Sequence, residues 1–266
     1  MSAMKGLILF LFLSCTAFGL AQKSITATLK QQDTLAVDRF VAMDNFGAKY
    51  VIQNNILIKR KDKKEWQYNN LQLGKITSVD ILNPLKITLF YEDFNTVIVL
   101  DNTLNEIKRT DFNVIEDFKN LAAATTANDR NLWIFDTNTQ QLEIFNYVQQ
   151  KTPIQNLPIP EKFVTLKSNY NFCRVLTETD IYLYNIYGSL LSKKPLLGVT
   201  DFDMTNSEVI FLKDEQLYYT HEDDVYLINL SSDRIAIKQF SLHDDILYIY
   251  DGIVLYQFQL KKPTKE

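Results

Sequence analysis

The chain has 266 residues with 28 basic and 32 acidic side chains, which gives a formal net charge of −4 at pH 7. This acidic balance argues against nucleic acid as a partner, because binding to phosphates depends on clustered positive charge, and it gives no reason to expect binding to anionic lipid. There are only two cysteines, Cys15 and Cys173, and the first lies in a segment that we expect to be removed, which excludes an intramolecular disulfide.

Residues 1–21 have the pattern of a secretory signal peptide. Lys5 supplies the positive start, and residues 6–13 (GLILFLFL) form an apolar run that is too short to span a bilayer comfortably. Small residues, Gly19 and Ala21, stand at the two positions that a signal peptidase reads, so we predict cleavage after Ala21. The alternative is lipid attachment at Cys15, which fits less well because Phe12 stands where such a motif usually has Leu.

The rest of the chain predicts β-strands and almost no helix. β-Branched and aromatic residues gather in short runs, which are bounded by Asn and Asp rather than by the five remaining glycines. In chain order the main runs are 50–52, 56–58, 87–91, 97–100, 132–135, 181–184, 209–212, 225–228 and 246–250. Cys173 lies in a further strand pattern, 172–176, where we expect it to be a small buried residue.

The runs recur as a unit in which an apolar strand ends in Asp or Asn and a polar turn follows. Asp101, Asp136, Asn185 and Asn229 end such strands, and the spacings between them are 35, 49 and 44 residues. These spacings bracket the ~40–50 residues of a four-stranded propeller blade. If the four positions are equivalent, their side chains should bond nearby backbone N–H groups, and the preceding Val99, Ile134, Leu183 and Leu227 should be buried between blades.

The pattern predicts an all-β protein with a single β-propeller of about six four-stranded blades, five and seven being within error. The last unit is short, because Lys261-Lys262-Pro263 follows it, and the alternating segment Ser24–Leu29 is expected to supply the missing strand. The predicted boundaries are 1–21 for the signal peptide, 22–262 for the propeller and 263–266 for a short tail. A pair of β-sandwiches is the competing fold. The prolines at 153, 158 and 160 are expected in an extended inter-blade connector.

In its period and strand pattern the chain resembles exported β-propellers with degenerate blades. The Trp-Asp dipeptide of WD-repeat blades is missing, because Trp66 precedes Gln67 and Trp133 precedes Ile134. The repeated Gly and Trp of quinoprotein dehydrogenase blades are missing too. The signal, the composition and the degenerate blades are similar to those of accessory envelope propellers of Bacteroidota-type bacteria, some of which serve outer-membrane secretion machines. The resemblance implies a periplasmic or outer-membrane-associated location.

The sequence indicates no catalytic site. His221 and His243 each precede acidic residues, but they are 22 residues apart, about half a blade, which predicts solvated turns on opposite faces. A calcium site that uses the neighbouring carboxylates is the alternative. The sequence has no nucleophile elbow and no phosphate-binding glycine loop. The carboxylate pairs Glu92-Asp93, Glu116-Asp117 and Asp223-Asp224 are expected to be surface residues, and we predict no metal or other cofactor.

We therefore expect a non-catalytic scaffold or accessory subunit that binds a protein of the cell envelope. The alternative is a glycan-binding or hydrolytic propeller with its site in the central funnel, where converging carboxylates or a metal would mark it. A basic run in a predicted hairpin is the candidate contact to an acidic partner surface or to lipopolysaccharide phosphates. It consists of Lys59, Arg60, Lys61, Lys63 and Lys64.

Overall fold

The computed structural model describes residues 22–205, 208–222, 224–232 and 235–263. These residues form 24 β-strands and one short 3-10 segment, Glu92–Phe94, and they contain no α-helix, so the all-β prediction is confirmed. The predicted signal peptide and its cleavage site, Asp223 and residues 264–266 of the predicted tail lie outside the described residues. No helix among the described residues is long and apolar enough to cross a membrane.

The strands follow the runs of β-branched and aromatic residues that the sequence shows. They are β1 (Ser24–Thr34), β2 (Arg39–Met43), β3 (Lys49–Gln53), β4 (Ile56–Lys61), β5 (Lys64–Tyr68), β6 (Ser78–Asp80), β7 (Ile87–Tyr91), β8 (Thr96–Leu100), β9 (Glu106–Asp111), β10 (Leu121–Thr126), β11 (Asn131–Asp136), β12 (Gln141–Asn146), β13 (Lys151–Gln155), β14 (Phe163–Ser168), β15 (Phe172–Thr177), β16 (Asp180–Asn185), β17 (Leu190–Pro195), β18 (Val199–Met204), β19 (Val209–Lys213), β20 (Gln216–His221), β21 (Asp224–Leu230), β22 (Gln239–His243), β23 (Ile246–Tyr250) and β24 (Val254–Lys261).

Four sheets are antiparallel meanders of four strands each: β2–β5, β6–β9, β10–β13 and β14–β17. The remaining eight strands form one sheet in the order β18-β19-β20-β21-β1-β24-β23-β22. Within it, β18–β21 are one antiparallel set, and β22–β24 with β1 are another. The two sets meet where Ser24–Ala27 of β1 run parallel to Leu227–Leu230 of β21.

The sheets stand around a central cavity in the manner of a β-propeller. Strand β10 packs beside β6 and β14, and β18 beside β14 and β22. The contact of β22 with β2 joins the end of the chain to its beginning. The first strand of each set therefore lies innermost. The described strands do not form the two stacked sheets of a β-sandwich. The radial arrangement leaves loops at both ends of the cavity.

The N-terminal strand closes the ring, as the alternating segment Ser24–Leu29 predicts. It pairs antiparallel with the last strand, from Thr26 opposite Lys261 to Thr34 opposite Val254. Beyond that last strand, the amine of Lys262 lies 2.8 Å from one carboxylate oxygen of Glu208. The other oxygen of Glu208 accepts a 2.7 Å hydrogen bond from the hydroxyl of Tyr219. Backbone pairing and side-chain contacts thus join the two ends of the described chain to the same sheet.

Apolar side chains fill the space between neighbouring sheets. Val99 and Ile134 both belong to the cluster between β6–β9 and β10–β13, at 2% and 0% exposure, as the repeat pattern predicts. Leu183 and Leu227 are only half-buried, so the same prediction is wrong for them. Cys173 is fully buried in β15, and burial raises the pKa of its thiol, which fits the predicted packing role.

The four Asp and Asn positions that define the predicted repeat are not equivalent. Asp136 ends the second strand of its sheet, whereas Asp101 and Asn185 follow or end third strands and Asn229 lies within a fourth. The first three do start turns, and each carboxylate or amide oxygen accepts a hydrogen bond from the backbone N–H two residues ahead. The repeat was assigned to the wrong turns because Asx turns also follow a first strand, at Asn169, and a second strand, at Asp136, so that they do not mark one particular turn of a blade.

Asn146, which ends the third strand β12, takes the place that the sequence analysis gave to Asp136. Its side-chain oxygen accepts hydrogen bonds from the N–H groups of Val148 and Gln149. The three equivalent positions are therefore 101, 146 and 185. The prolines of the predicted connector divide in a similar way: Pro153 lies in the outer strand β13, and Pro158 and Pro160 lie in the connector that follows it.

The two ends of the cavity differ in the loops that surround them. At the end called here the turn face, first strands pass to second strands and third strands to fourth. At the opposite end, the connector face, segments 69–77, 112–120, 156–162 and 196–198 lead from one sheet to the next. The turns between second and third strands, such as Glu92–Phe94, lie at the connector face as well, because successive strands of a meander alternate in direction.

Candidate functional site

The central cavity opens toward the turn face and has a volume of about 420 Å³. Residues of the innermost strands β2, β6, β10, β14, β18 and β22 line it, together with the turns that follow five of them. The charged and titratable groups of this lining are Asp44, Asp80, Lys167, Tyr170, Asp203, His243 and Asp244. The cavity is the place where an enzyme or a small-molecule binder of this fold would hold its ligand, so the surroundings of these groups indicate whether the cavity can serve that role.

Asp80 connects β6 to β10 across the wall of the cavity. One carboxylate oxygen accepts hydrogen bonds from the hydroxyl of Thr125 at 2.5 Å and from the N–H of Thr126 at 2.6 Å. The other oxygen accepts one from the N–H of Leu82 at 2.7 Å. Ser168, on β14, donates its hydroxyl to the carbonyl of Thr126 at 2.5 Å and so extends the connection to the next innermost strand. Both oxygens of the Asp80 carboxylate therefore accept hydrogen bonds from the protein itself.

Lys167 and Asp203 make the next connection, from β14 to β18 and on to β22. The amine of Lys167 lies 3.7 Å from one oxygen of Asp203, and the other oxygen accepts the N–H of Leu242 at 2.8 Å. Burial alone would lower the pKa of Lys167, but the negative charges of Asp203, Asp201 and Asp80 outweigh it, and the pKa is raised. This lysine is therefore charged near neutral pH and is not a neutral amine ready for covalent catalysis.

The remaining joints of the ring use backbone carbonyls. Arg39 of β2 donates to the carbonyl of Thr77 at 2.8 Å, beside the start of β6. Tyr250 donates its hydroxyl to the carbonyl of Leu35 at 2.7 Å, just before β2. Near the mouth of the cavity, Asp44 accepts the N–H of Ala48 at 2.8 Å and the hydroxyl of Tyr50 at 3.1 Å. Asp44 thus binds within its own sheet, whereas the other polar groups of the wall form a belt that joins neighbouring sheets.

His221 and His243 lie toward the same edge of the eight-stranded sheet, which corrects the prediction that their turns occupy opposite faces. Strands β20 and β22 run in the same direction through that sheet, and each histidine ends its strand. The separation of about half a blade does not put the two turns on opposite faces, because β20 is a third strand and β22 is a first strand. Both kinds of strand end at the turn face. His221 stacks on Tyr219 with ring centroids 6.4 Å apart, whereas His243 borders the cavity.

His243 has Asp244 as its charged neighbour, with the ring Nε2 3.7 Å from a carboxylate oxygen. The described residues contain no group of three or more His, Cys, Asp or Glu side chains placed to hold a metal ion. Glu92, Asp93, Glu116 and Asp117 are exposed at the connector face and do not line the cavity. These two carboxylate pairs therefore do not converge across the funnel as an enzyme site of the glycosidase kind would need.

The basic run occupies β4 and its hairpin at the turn face, and its members are placed unequally. Lys59 is only 7% exposed, donates its amine to the carbonyl of Asn102 at 2.8 Å, and lies over the rings of Tyr50 and Trp66. It has a structural role and offers little surface to a partner in this structure, and its expected contact with a partner stays a prediction. Arg60 pairs with Glu65 at 2.8 Å, and Lys61 lies 5.7 Å from the ring centroid of Phe46.

Lys63 and Lys64 are exposed at the tip of that hairpin. Together with Arg60 and Lys61 they leave a basic projection on the turn face, so that a contact of these four residues with an acidic partner stays a prediction. The projection lies beside β5, the outer strand of its sheet, and none of its four residues lines the central cavity. A partner bound there would not need to enter the cavity.

A buried ion pair at the connector face has no counterpart in the sequence analysis. Lys119 and Glu143 have side chains 3% and 0% exposed, and the amine lies 2.8 Å from a carboxylate oxygen. Burial opposes the charge of Lys119, but its contacts with Glu143 and Asp117 outweigh this effect and raise its pKa. Sequence reasoning missed the pair because the partners are 24 residues apart, and Glu143 has the alternating pattern of an ordinary strand residue.

No protein-family model matches the sequence, and no curated protein matches it. The fold does match solved structures. A streptogramin B lyase superposes with a TM-score of 0.58 and 9% identity, covering 87% of this chain and 98% of the other. The virginiamycin B lyase from Staphylococcus aureus gives a TM-score of 0.59 at 9% identity, covering 87% of this chain and 99% of the lyase.

A secretion component is also similar in fold. PorZ, an essential surface component of the type-IX secretion system of Porphyromonas gingivalis, gives a TM-score of 0.50 at 14% identity, covering 82% of this chain and 31% of PorZ. At such identities the similarity establishes a propeller-type fold and leaves the activity open, since the same fold serves enzymes and binding proteins.

Proposed function

We propose that this chain is an exported, six-bladed propeller that acts without catalysis, as a binding scaffold or accessory subunit of an envelope or secretion complex. The count of six takes the eight-stranded sheet as two blades, β18–β21 and β22–β24 with β1. Export follows from the predicted signal peptide, and the expected location is the periplasm or the periphery of the outer membrane. The fold similarity to PorZ supports an envelope role at the level of architecture.

The observation that carries this proposal is the use of the acidic groups in the cavity. Asp44, Asp80 and Asp203 all accept hydrogen bonds from backbone or hydroxyl donors of their own or the neighbouring strand. A general acid or base must instead reach the proton of a bound substrate. The funnel is therefore built for rigidity, and a rigid ring that presents loops at two ends suits a scaffold.

The second candidate is a funnel enzyme or glycan binder, and His243 is the residue that favours it. Two lyases are similar in fold, and a variant of the staphylococcal enzyme in which a histidine is replaced by alanine is described as catalytically inactive. Here His243 borders the cavity beside Asp244. Among the described residues of the cavity, this histidine and aspartate are the simplest candidates for acid–base catalysis.

Variants in the native host distinguish the two candidates. For a scaffold, replacing His243 by Ala and Asp244 by Asn should leave the thermal midpoint, the growth phenotype and the set of co-purifying proteins unchanged, because both side chains are outside the belt. For an enzyme, the same double variant should abolish the phenotype while the midpoint and the co-purifying proteins stay as they are. Quantitative mass spectrometry of the affinity-purified protein measures the partners, and that second result would refute the scaffold.

A further inference from the structure

The connector face carries a patch that combines exposed apolar side chains with unshielded negative charge. It consists of Glu92–Phe94, in the turn between β7 and β8, and of residues 114–118, in the connector from β9 to β10. We propose that this acidic-apolar patch is a docking surface for a protein segment in which Lys or Arg residues flank apolar side chains. The proposal rests on the binding role given above and names the partner's chemistry.

The two parts of the patch are fastened to each other by Asn95. Its amide nitrogen donates to the carbonyl of Lys119 at 2.6 Å, and its amide oxygen accepts the N–H of Leu121 at 3.1 Å. Asn113 returns the contact by donating to the carbonyl of Phe94 at 3.0 Å. Asn95 itself has a left-handed backbone, with φ of 48°, which Asn tolerates better than most residues. The turn and the connector therefore form one rigid surface.

The apolar side chains of this surface point outward although their neighbours point inward. Phe94, Val114 and Phe118 are 46%, 78% and 52% exposed. Phe112 and Ile115, in the same connector, are 0% and 8% exposed and anchor it to the core. Single exposed apolar residues are ordinary, but three on one hydrogen-bonded unit make a local patch of the kind that marks interaction sites.

The two segments are negatively charged, and the lysine that follows residues 114–118 is turned inward. Glu92, Asp93, Glu116 and Asp117 are all exposed. Lys119 does not balance them, since its side chain is 3% exposed and its amine contacts the buried Glu143. Asp117 also contacts Lys119, at 2.9 Å, and the other three carboxylates face solvent.

This charge pattern selects the occupant. Clustered carboxylates repel anionic lipid and nucleic acid. A purely apolar segment would remove water from the carboxylates without supplying a counter-charge. A basic segment with apolar side chains satisfies both parts of the patch, because aromatic residues such as Phe94 and Phe118 provide buried contact area while the carboxylates at the rim steer and orient the partner.

A peptide-library selection on the purified protein tests the proposal without knowledge of the natural partner. Random 12-residue peptides displayed on phage are selected on the immobilised protein, and the strongest binders are synthesised and titrated by fluorescence anisotropy. Enriched peptides should combine Lys or Arg with apolar residues, and their affinity should fall as salt rises. Phe118→Ser should weaken them at least tenfold with an unchanged thermal midpoint. Glu116→Lys should weaken them less, and mainly at low salt.

Two matched controls are surface residues of similar exposure elsewhere. Leu157, 85% exposed in a different connector, and Tyr187, 73% exposed in a hairpin of the turn face, are each replaced by Ser and should not change binding. A selection that yields acidic peptides, shows no charge preference or yields no binders would overturn the proposal. So would binders that tolerate Phe118→Ser.

Two further outcomes assign the surface differently. Binders that are lost on mutation of Lys61, Lys63 and Lys64 to Glu would place recognition at the basic projection; the docking patch would then be wrong, while a scaffold role would stand. Sedimentation that shows self-association of the protein, abolished by Phe118→Ser, would assign the patch to a second copy of this chain and would likewise overturn a basic partner segment.

Discussion

The wall of the cavity and the connector face both contain several carboxylates, and they use them in opposite ways. In the wall, Asp80 and Asp203 accept bonds from neighbouring innermost strands. At the connector face, Glu92 and Glu116 are exposed. An acidic residue in the central funnel of a propeller is readily interpreted as catalytic. An acidic residue in a loop is readily interpreted as a surface residue that only keeps the protein soluble. The number and direction of the donors around a carboxylate therefore indicate its role better than its position in the fold does.

The largest effect is expected from removal of the cation that is buried beneath the connector face. Lys119→Ala should lower the free energy of unfolding by about 3–5 kcal/mol, because it leaves Glu143 buried without its counter-charge. In the unaltered protein this contribution is present below about pH 10.4, the unfolded pKa of lysine, and is lost as the pH rises through the raised folded pKa of Lys119. Urea titrations from pH 7 to pH 11 measure both effects.

The control replaces the whole pair by apolar residues. Lys119→Met combined with Glu143→Leu should restore most of the stability, since no charge stays buried. A cost below about 1 kcal/mol for Lys119→Ala would mean that the pair behaves as a surface salt bridge, and the inward-turned lysine would then no longer account for the charge of the connector face.

The next largest effect tests the wall itself. Asp80→Ala should cost about 1.5–3 kcal/mol, because hydrogen bonds to a charged acceptor are lost and the N–H of Thr126 is left without its partner. Asp80→Asn keeps one oxygen acceptor and should cost less. Differential scanning calorimetry measures both variants. If Asp80→Ala leaves stability unchanged and instead alters the biological phenotype, the acidic belt is functional rather than structural.

The smallest expected effect on stability belongs to the patch. Phe118→Ser should change the free energy of unfolding by no more than about 0.5 kcal/mol, because the ring is half-exposed and has little core contact to lose. Chemical denaturation of the variant beside Leu157→Ser provides the measurement. A loss of several kcal/mol would show that Phe118 is a core residue, and the contrast between the two regions would disappear.

The strands that sequence reasoning found and those that it missed differ in where they lie. The apolar runs 87–91 and 246–250 correspond to β7 and β23. Both strands are buried on both faces, so each is visible in the sequence as a continuous apolar run. The innermost strands β6 and β18 contain Asp80 and Asp203, so their alternation is broken by the residues that line the cavity. The general fold could be predicted because it depends on buried runs, but the cavity wall could not.

The two proposed contact surfaces are harder to predict for a similar reason. The basic run was visible because its residues are consecutive, yet the burial of Lys59 depends on Trp66 and on Asn102, which a neighbouring sheet supplies. The acidic-apolar patch combines two segments about 20 residues apart, and Asn95 looks like any other turn residue until its amide is seen to join them. Such contacts across sheets have no local signature in a single sequence.

The closure of the ring by β1 sets the order of events during biogenesis. The first strand of the chain pairs with β21 and β24, whose residues are synthesised some 200 positions later, as the contact between Lys23 and Asp224 illustrates. Contacts at such separation in sequence make folding slow, because a large loop entropy must be lost before they form. A nascent chain therefore cannot close the ring until nearly all of it is available. If the chain is exported, as we propose, this delay keeps it unfolded for passage through a translocation channel, and the ring closes on the far side.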